Sequence, residues 1–406
     1  MLNKRVLCWS LVSILTGGAM AQTPPPGSPP PDSPPTRPPS DRPPADQPPV
    51  EREPQRPGVR QSGEPLRLLP NVEQVRDVVY ATVRTDAGRD LDLHMNVYFP
   101  KDSAGRKLPV VIYIHGGGFT GGSREAGDQL SAIVAAGGYF ACTIQYRLLQ
   151  QGRFPAAMHD CKAAVRFLRA NAEELGIDPK KIGVWGHSAG GHLAAYLGVT
   201  GNAPETHGDV GETPEVDSSV ACVIDYFGPT DFPSLFTGRG RDIQRLRTQL
   251  FGEAVEDIET KLRRASPVHW VDADDPPVLI VHGSQDNLVP LSQSEIFEKA
   301  LHEAGVKAEL IVVEGAGHGF RDADSTIRCA EFFDRHLGGA LAPVVTRIAE
   351  ATGDDGPLGR RGGQQARPQR PGQPPADGTD RPPATDEGRT TPPRRPGGGG
   401  NAGGGR

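Results

Sequence analysis

Six short stretches constrain this chain more than anything else in it. They are "PVVIYIHG", "YFACTIQY", "KIGVWGHS", "VACVIDYFG", "PPVLIVHG" and "AELIVVEG", runs of mostly apolar residues rich in Val and Ile. A strand with one wet face alternates apolar and polar residues, whereas an unbroken run calls for burial on both faces. Segments of helical period lie between the runs. Ala157, Cys161, Val165, Leu168, Ala172 and Leu175 recur every three or four residues, and Gly176 closes the predicted helix. Ser292 and Glu295 read as a capping box before Ile296, Phe297, Ala300, Leu301 and Ala304, with Gly305 at the stop. Strand and helix in alternation predict an α/β fold: a mostly parallel, eight-stranded sheet with helices on both faces. One segment differs from the rest. "DLDLHMNVYFP" puts Leu91, Leu93, Met95, Val97 and Phe99 on one face, which predicts a half-buried antiparallel strand with Val75–Val83 as its partner.

These signals fall within residues 66–340, a span that suits one large domain. The 41 prolines and 51 glycines cluster towards the two ends. Residues 1–21 read as a signal peptide: Lys4 and Arg5, the apolar run Val6–Leu15, then Ala19-Met20-Ala21 as a cleavage site ahead of Gln22. Export to the periplasm, the cell surface or the medium is the expectation. The apolar run is short for a bilayer, and no later segment is long and apolar enough to be a membrane helix. Residues 22–65 form a Pro-rich spacer whose "TPPPGSPPPDSPP" favours extended polyproline II over a core. Residues 341–406 begin with a short helical stretch and pass into a Pro/Gly/Arg-rich tail. A net charge of -6 gives no sign of a nucleic-acid partner. Of five cysteines, cleavage after residue 21 would leave Cys142, Cys161, Cys222 and Cys329, an even number that permits disulfides in an exported protein. A domain of this size needs no such staples, so free buried thiols stay open beside bridges, and no C-x-x-C spacing points to a metal.

In a mostly parallel sheet, ligands bind beyond the carboxyl ends of the strands. After "IGVW" comes Gly186-His187-Ser188-Ala189-Gly190, the G-x-S-x-G pattern of a sharp strand-to-helix turn. A Cβ at 186 or 190 would collide with neighbouring backbone, so glycine there lets the turn lift one hydroxyl to the sheet edge. A serine hydroxyl needs a base to attack. His318, in "GAGHGF" after the last predicted strand, is the candidate among 11 histidines, ahead of His115, His187, His192 and His282. An imidazole needs an orienting carboxylate. Asp286, three residues past Gly283, is the candidate, with Asp225, Asp231 and Asp322 as rivals. "YIHGGGFTGG" lacks the Lys-Ser/Thr of a phosphate loop and reads as an oxyanion hole: the amides of Gly117 and Gly118 would join that of Ala189. His115 and Gly116 would support that loop.

"HGGGF", "YRLLQQGRFPAAMHDCKAAVRFLRAN", "GIDPKKIGVWGHSAGGHLAA", "DYFGPTDF", "ASPVHW" and "PPVLIVHGSQDNLVPLSQSE" strongly resemble the bacterial α/β-hydrolase esterases related to hormone-sensitive lipase, and within them the bifunctional acetylxylan/feruloyl esterase group. The resemblance covers about residues 75–337. It implies Ser188 as nucleophile, Asp286 as acid, His318 as base and the His115–Gly118 loop as oxyanion hole, with no metal and no cofactor. It also implies an acyl-enzyme hydrolase of acetyl, feruloyl or other short acyl esters, free or linked to a polysaccharide. Gln145 departs from the group, which usually has Asn or an acidic residue before "YRL"; His187 stands where Ser, Asp or Glu is common. About 35 residues separate "GPTD" from "SPVHW", enough for two helices, so the cap is expected to be small or absent and the site open. Two other readings fit parts of the pattern: a serine peptidase of the prolyl oligopeptidase type, with the same fold and triad order, and a non-catalytic esterase-like surface protein.

Overall fold

The computed structural model describes residues 69–237, 241–252 and 257–352. The expected signal peptide, the Pro-rich spacer and most of the C-terminal tail lie outside these residues, as does the whole of the second unit, Gln364–Arg406.

Eight strands form one sheet in the order β1-β2-β4-β3-β5-β6-β7-β8. They are β1 (Val72–Arg84), β2 (Asp90–Pro100), β3 (Leu108–Ile114), β4 (Phe140–Ile144), β5 (Ile177–His187), β6 (Cys222–Tyr226), β7 (Val278–Gly283) and β8 (Ala308–Val313). β2 runs antiparallel to both β1 and β4, and every other pairing is parallel. The apolar runs explain the middle of the sheet. Val110, Ile112 and Ile114 of β3 enter one core, and Val111 enters the other. Likewise Val278 and Ile280 of β7 face one side, Leu279 and Val281 the other. Side chains alternate along a strand, so a continuous run feeds both faces at once. The helices α2 (Ala156–Ala170), α3 (Ala189–Val199) and α4 (Ser292–Glu303) close the first core; α1 (Asp128–Ala136), α5 (Ala323–Leu337) and α6 (Ala342–Thr352) close the second. Among the described residues no helix is long and apolar enough to cross a membrane.

Several expectations need correction. β8 is partly exposed along its length because it is the sheet edge, paired with β7 alone. Conversely, β2 is half-buried only at its start: from Met95 to Pro100 every residue is buried, because α1 covers the face expected to be wet. Asn96 there donates to Asp128 of α1 at 3.0 Å. The predicted helix from Ala157 to Leu175 breaks at Asn171, whose side-chain amide donates to the Phe167 carbonyl at 2.7 Å. A second short helix follows, and Gly176 ends it in the left-handed conformation with φ 65°. Ser292 does not cap α4: Leu291 holds the cap position and no side chain caps it. Among the described residues, three helices rather than two occupy the stretch after β6: Phe232–Phe236, Arg241–Phe251 and Ile258–Arg264. The four cysteines among the described residues, Cys142, Cys161, Cys222 and Cys329, are buried and unbridged.

A buried ion pair ties the fold to the site. Asp160 of α2 is fully buried and grips the Arg147 guanidinium at 2.7 and 2.9 Å, while also accepting from the Arg147 amide at 2.8 Å. That pair fixes the segment leaving β4, where the Leu149 amide donates to the Phe119 carbonyl at 2.9 Å and so steadies the glycine loop. Breaking such a pair strands a charge away from water. Asp160→Ala is expected to cost about 3–5 kcal/mol in urea unfolding; a loss below about 1 kcal/mol would show that the arginine finds solvent.

Candidate active site

β3 and β5 lie side by side, with Ile114 in register with Gly186. The glycine loop after β3 and the turn after β5 therefore emerge at the same point. The turn is as tight as its glycines require. A Cβ on Gly186 would overlap the Gly190 carbonyl, and one on Gly190 would overlap the Ile114 carbonyl. Ser188 itself sits at φ 56°, ψ -119°, a conformation that costs a non-glycine residue about 1–3 kcal/mol. The Ser188 amide donates to the Tyr226 carbonyl of β6 at 2.8 Å, and its carbonyl accepts from the His192 amide at 3.0 Å. Anchored on both sides, the strained residue holds its hydroxyl at the head of α3.

The structure brings together the three residues set far apart in the chain. His318 Nε2 lies 2.9 Å from Ser188 Oγ, and His318 Nδ1 lies 2.6 Å from Asp286 Oδ2. The other oxygen, Asp286 Oδ1, accepts from the amides of Leu288 and Val289 at 2.8 and 2.9 Å. Burial alone would raise the Asp286 carboxyl. Hydrogen bonds from His282, His318 and the Val289 amide outweigh burial and hold it well below the usual carboxylate range. It therefore stays ionised at neutral pH beside the imidazole.

Gly117 (φ 123°) and Gly118 (φ 60°) turn the loop after β3 through conformations that favour glycine. Both line a cavity of about 540 Å³ with Ser188 and His318. Among the described residues no acceptor takes the amides of Gly117, Gly118 or Ala189. Gly116 packs so close to the serine turn that a Cβ there would lie 2.7 Å from the His187 carbonyl. His115 supports the loop from below: its Nδ1 is 2.8 Å from the Gly116 carbonyl, and its ring stacks on Tyr146 at 4.3 Å. Free amides beside an activatable hydroxyl are what a developing oxyanion requires.

The rival residues are occupied elsewhere. His187 Nδ1 lies 2.8 Å from the Tyr113 hydroxyl, and desolvation, with the charges of Arg321 and His318, lowers its pKa to about 3. His192 Nδ1 bonds the Pro229 carbonyl at 2.7 Å. Asp231 pairs with His269 at 3.4 Å, and Asp322 caps α5 by accepting from the Ser325 amide at 2.7 Å. Asp225 is buried beneath α3 and accepts from the Gly228 amide at 2.9 Å. None of these carboxylates is bonded to His318.

Sequence reasoning missed how the acid is held. His282, the penultimate residue of "VLIVHG", is fully buried; its Nε2 is 2.9 Å from the Val289 carbonyl and 3.4 Å from Asp286 Oδ2. Its Nδ1 is 2.6 Å from Ser294 Oγ. Ser294 lies at the start of α4, so helix, strand and acid loop are locked through one ring. The buried strand-end histidine was visible in the sequence, but its partners depend on how the loop folds back.

Comparison with known proteins places this geometry. The BD-FAE family matches residues 95–301. The esterase LipC of Mycobacterium tuberculosis is 33% identical over 229 residues, 56% of each chain. The chain thus spans about half the length of the curated relatives it matches. A solved truncated carbohydrate esterase from gut microbiota is 29% identical, with 68% of this chain and 96% of that one covered at a TM-score of 0.56. The thermophilic esterase Est2 of Thermogutta terrifontis, solved with propionate, is 29% identical, with 66% and 95% covered at a TM-score of 0.54.

Asp225 provides a separate test of the site's interior. Burial raises its pKa to about 6, opposed by the Gly228 hydrogen bond and by His282. The unfolded carboxyl loses its proton near pH 4, the folded one only near 6, so the folded state binds the extra proton in between. Stability must then fall as pH rises through that window, by about 3 kcal/mol. Asp225→Asn is expected to flatten this slope in denaturation curves between pH 4 and 6; an unchanged slope would mean the carboxyl ionises normally in place.

Proposed function

The chain belongs to the BD-FAE family, and from that premise we propose that it is a serine carboxylic-ester hydrolase acting through an acyl-enzyme on acetyl, feruloyl or other short acyl esters, including those of sugars. One observation carries the reading: the unbroken Ser188–His318–Asp286 chain at 2.9 and 2.6 Å, beside backbone amides without acceptors.

The chemistry follows from the atoms. As Ser188 Oγ attacks the ester carbonyl carbon, His318 Nε2 takes its proton. The C=O π-bond becomes an oxyanion, which accepts from the amides of Gly117, Gly118 and Ala189. Asp286 stabilises the imidazolium through Nδ1 and keeps the ring in the tautomer that leaves Nε2 facing the serine. The tetrahedral species collapses, the C–O bond to the alcohol breaks, and His318 gives its proton to the leaving oxygen. Water then attacks the acyl-serine by the same route, releasing the acid and restoring Ser188. No group outside this set is needed to balance either half.

A carbohydrate esterase and an esterase solved with propionate among the similar structures support short acyl groups and sugar-linked alcohols. So does the cavity size, about 540 Å³. An acyl-length series run beside acetylated and feruloylated sugars tests the substrate class. Short acyl and sugar esters are expected to dominate; a clear long-chain preference would overturn it. Ser188→Ala is expected to lose roughly a million-fold in turnover and all labelling by an organophosphonate. Asp286→Asn is expected to slow turnover by about ten-thousand-fold through the wrong tautomer. Retained activity in the first variant would refute the nucleophile, and retained activity in the second would refute the acid. We also propose export, on the composition of residues 1–21; N-terminal sequencing that begins at Gln22 would support it.

A further inference from the structure

Three residues past His318, the loop carries Arg321 to the rim of the cavity. Its backbone is pinned from both sides. The Phe320 ring packs on Phe227 and Tyr226, with centroids 5.4 and 5.9 Å away, and Asp322 is committed to capping α5. The side chain, by contrast, is exposed, lines the cavity with Ser188 and His318, and has no hydrogen bond or acidic partner among the described residues. Several other arginines of the domain are engaged: Arg147 with Asp160, Arg328 with Glu309, Arg166 and Arg169 with backbone carbonyls. Of the residues lining the cavity, Asp322 alone is acidic, and its carboxylate already accepts from the Ser325 amide. Arg321 lies close enough for its charge to lower the proton affinity of both Tyr113 and His187, two other lining residues. His187, kept neutral chiefly by desolvation and then by the Arg321 charge, adds no second cation. Trp185, Tyr226 and Phe227 form much of the remaining wall, and low-dielectric walls weaken screening of a charge held against them.

We propose that Arg321 makes this site selective for esters that carry a carboxylate, which the guanidinium pairs with at the cavity rim while Ser188 attacks the ester carbon. The inference rests on the ester-hydrolase reading above. A planar guanidinium matches a carboxylate with two parallel hydrogen bonds. The carboxylate can reside on the acyl part, as in a dicarboxylic monoester, or on the alcohol part, as in a uronate. Arg321 is a specificity residue here, with no part in proton transfer.

The test uses the full chain and two matched pairs of esters. One pair is 4-nitrophenyl hydrogen glutarate against 4-nitrophenyl valerate; the other is acetylated glucuronic acid against acetylated glucose. The charged member of at least one pair is expected to have kcat/KM about tenfold higher at low salt, the scale of one charge-assisted contact. The pair that shows it identifies the acyl or the alcohol side. Arg321→Gln is expected to bring that ratio to near one, Arg321→Lys to keep part of it, and added salt to shrink it. Ratios that do not change in Arg321→Gln would overturn the proposal. Calorimetric binding of the same esters to Ser188→Ala protein, with and without Arg321→Gln, reads anion selection without turnover. Arg321-dependent binding in a wild type that cleaves no ester would uphold the selection and sink the hydrolase reading. Neutral esters cleaved with no charge preference would do the reverse.

Discussion

The close approach of backbone to backbone at the head of β5 is the constraint from which the rest of this structure follows. At Gly186 and Gly190 there is no room for a single methyl group, because the carbonyls of Gly190 and Ile114 already fill the space. That contact welds the end of β3, the turn after β5 and the first turn of α3 into one block. Ser188 occupies its strained conformation because the block leaves no other path, and the Tyr226 and His192 hydrogen bonds hold it there. The glycine loop after β3 inherits its place from the same junction. A hydroxyl and its neighbouring amides are thus set by main-chain geometry, which side-chain motion cannot loosen.

The acid and base are held differently. His318 and Asp286 sit on loops after the last two strands of the sheet, and the Gln285 amide joins the two loops by donating to the Ala316 carbonyl at 2.9 Å. Their precision comes from hydrogen bonds: two amides and two histidines converge on Asp286. His282 carries this order inward to α4 through Ser294, so the acid loop is braced by a helix although the acid itself is not on one. Rigid backbone for the nucleophile and a polar lattice for its partners divide the work of positioning between two kinds of physics.

Much of this was legible in the chain. Continuous apolar runs mark strands buried on both faces, and β3, β5, β6 and β7 obey that rule because helices cover both of their sides. The same rule misleads at β8, whose run is equally apolar but whose place at the edge leaves Val312 exposed. Period alone carries no information about a strand's neighbours. The alternation of β2 fails in the opposite sense, since α1 arrives from elsewhere in the sequence to cover Asn96 and Tyr98. Ser188, His318 and Asp286 could be picked out because each follows a recognisable strand end. His282 as a brace and Arg321 as an unpaired cation could not, because their meaning lies in which partners they have or lack. The Ser292–Glu295 pattern had the right letters for a cap, but the helix begins one residue early and Ser294 points its oxygen at His282 instead.

Cys142, Cys161, Cys222 and Cys329 are all buried, and burial pushes their thiols up, Cys329 to about 12. A thiol reacts through its thiolate, so none of the four is chemically available while the domain is closed. The fold consequently owes nothing to the redox poise of its surroundings, and forms from the same contacts with or without a reductant. It also means that an alkylating dye, added to the native protein, reaches these four thiols only in molecules that have opened. The chain carries its own clock for local unfolding, two hands on each side of the sheet: Cys142 and Cys161 in one core, Cys222 and Cys329 in the other.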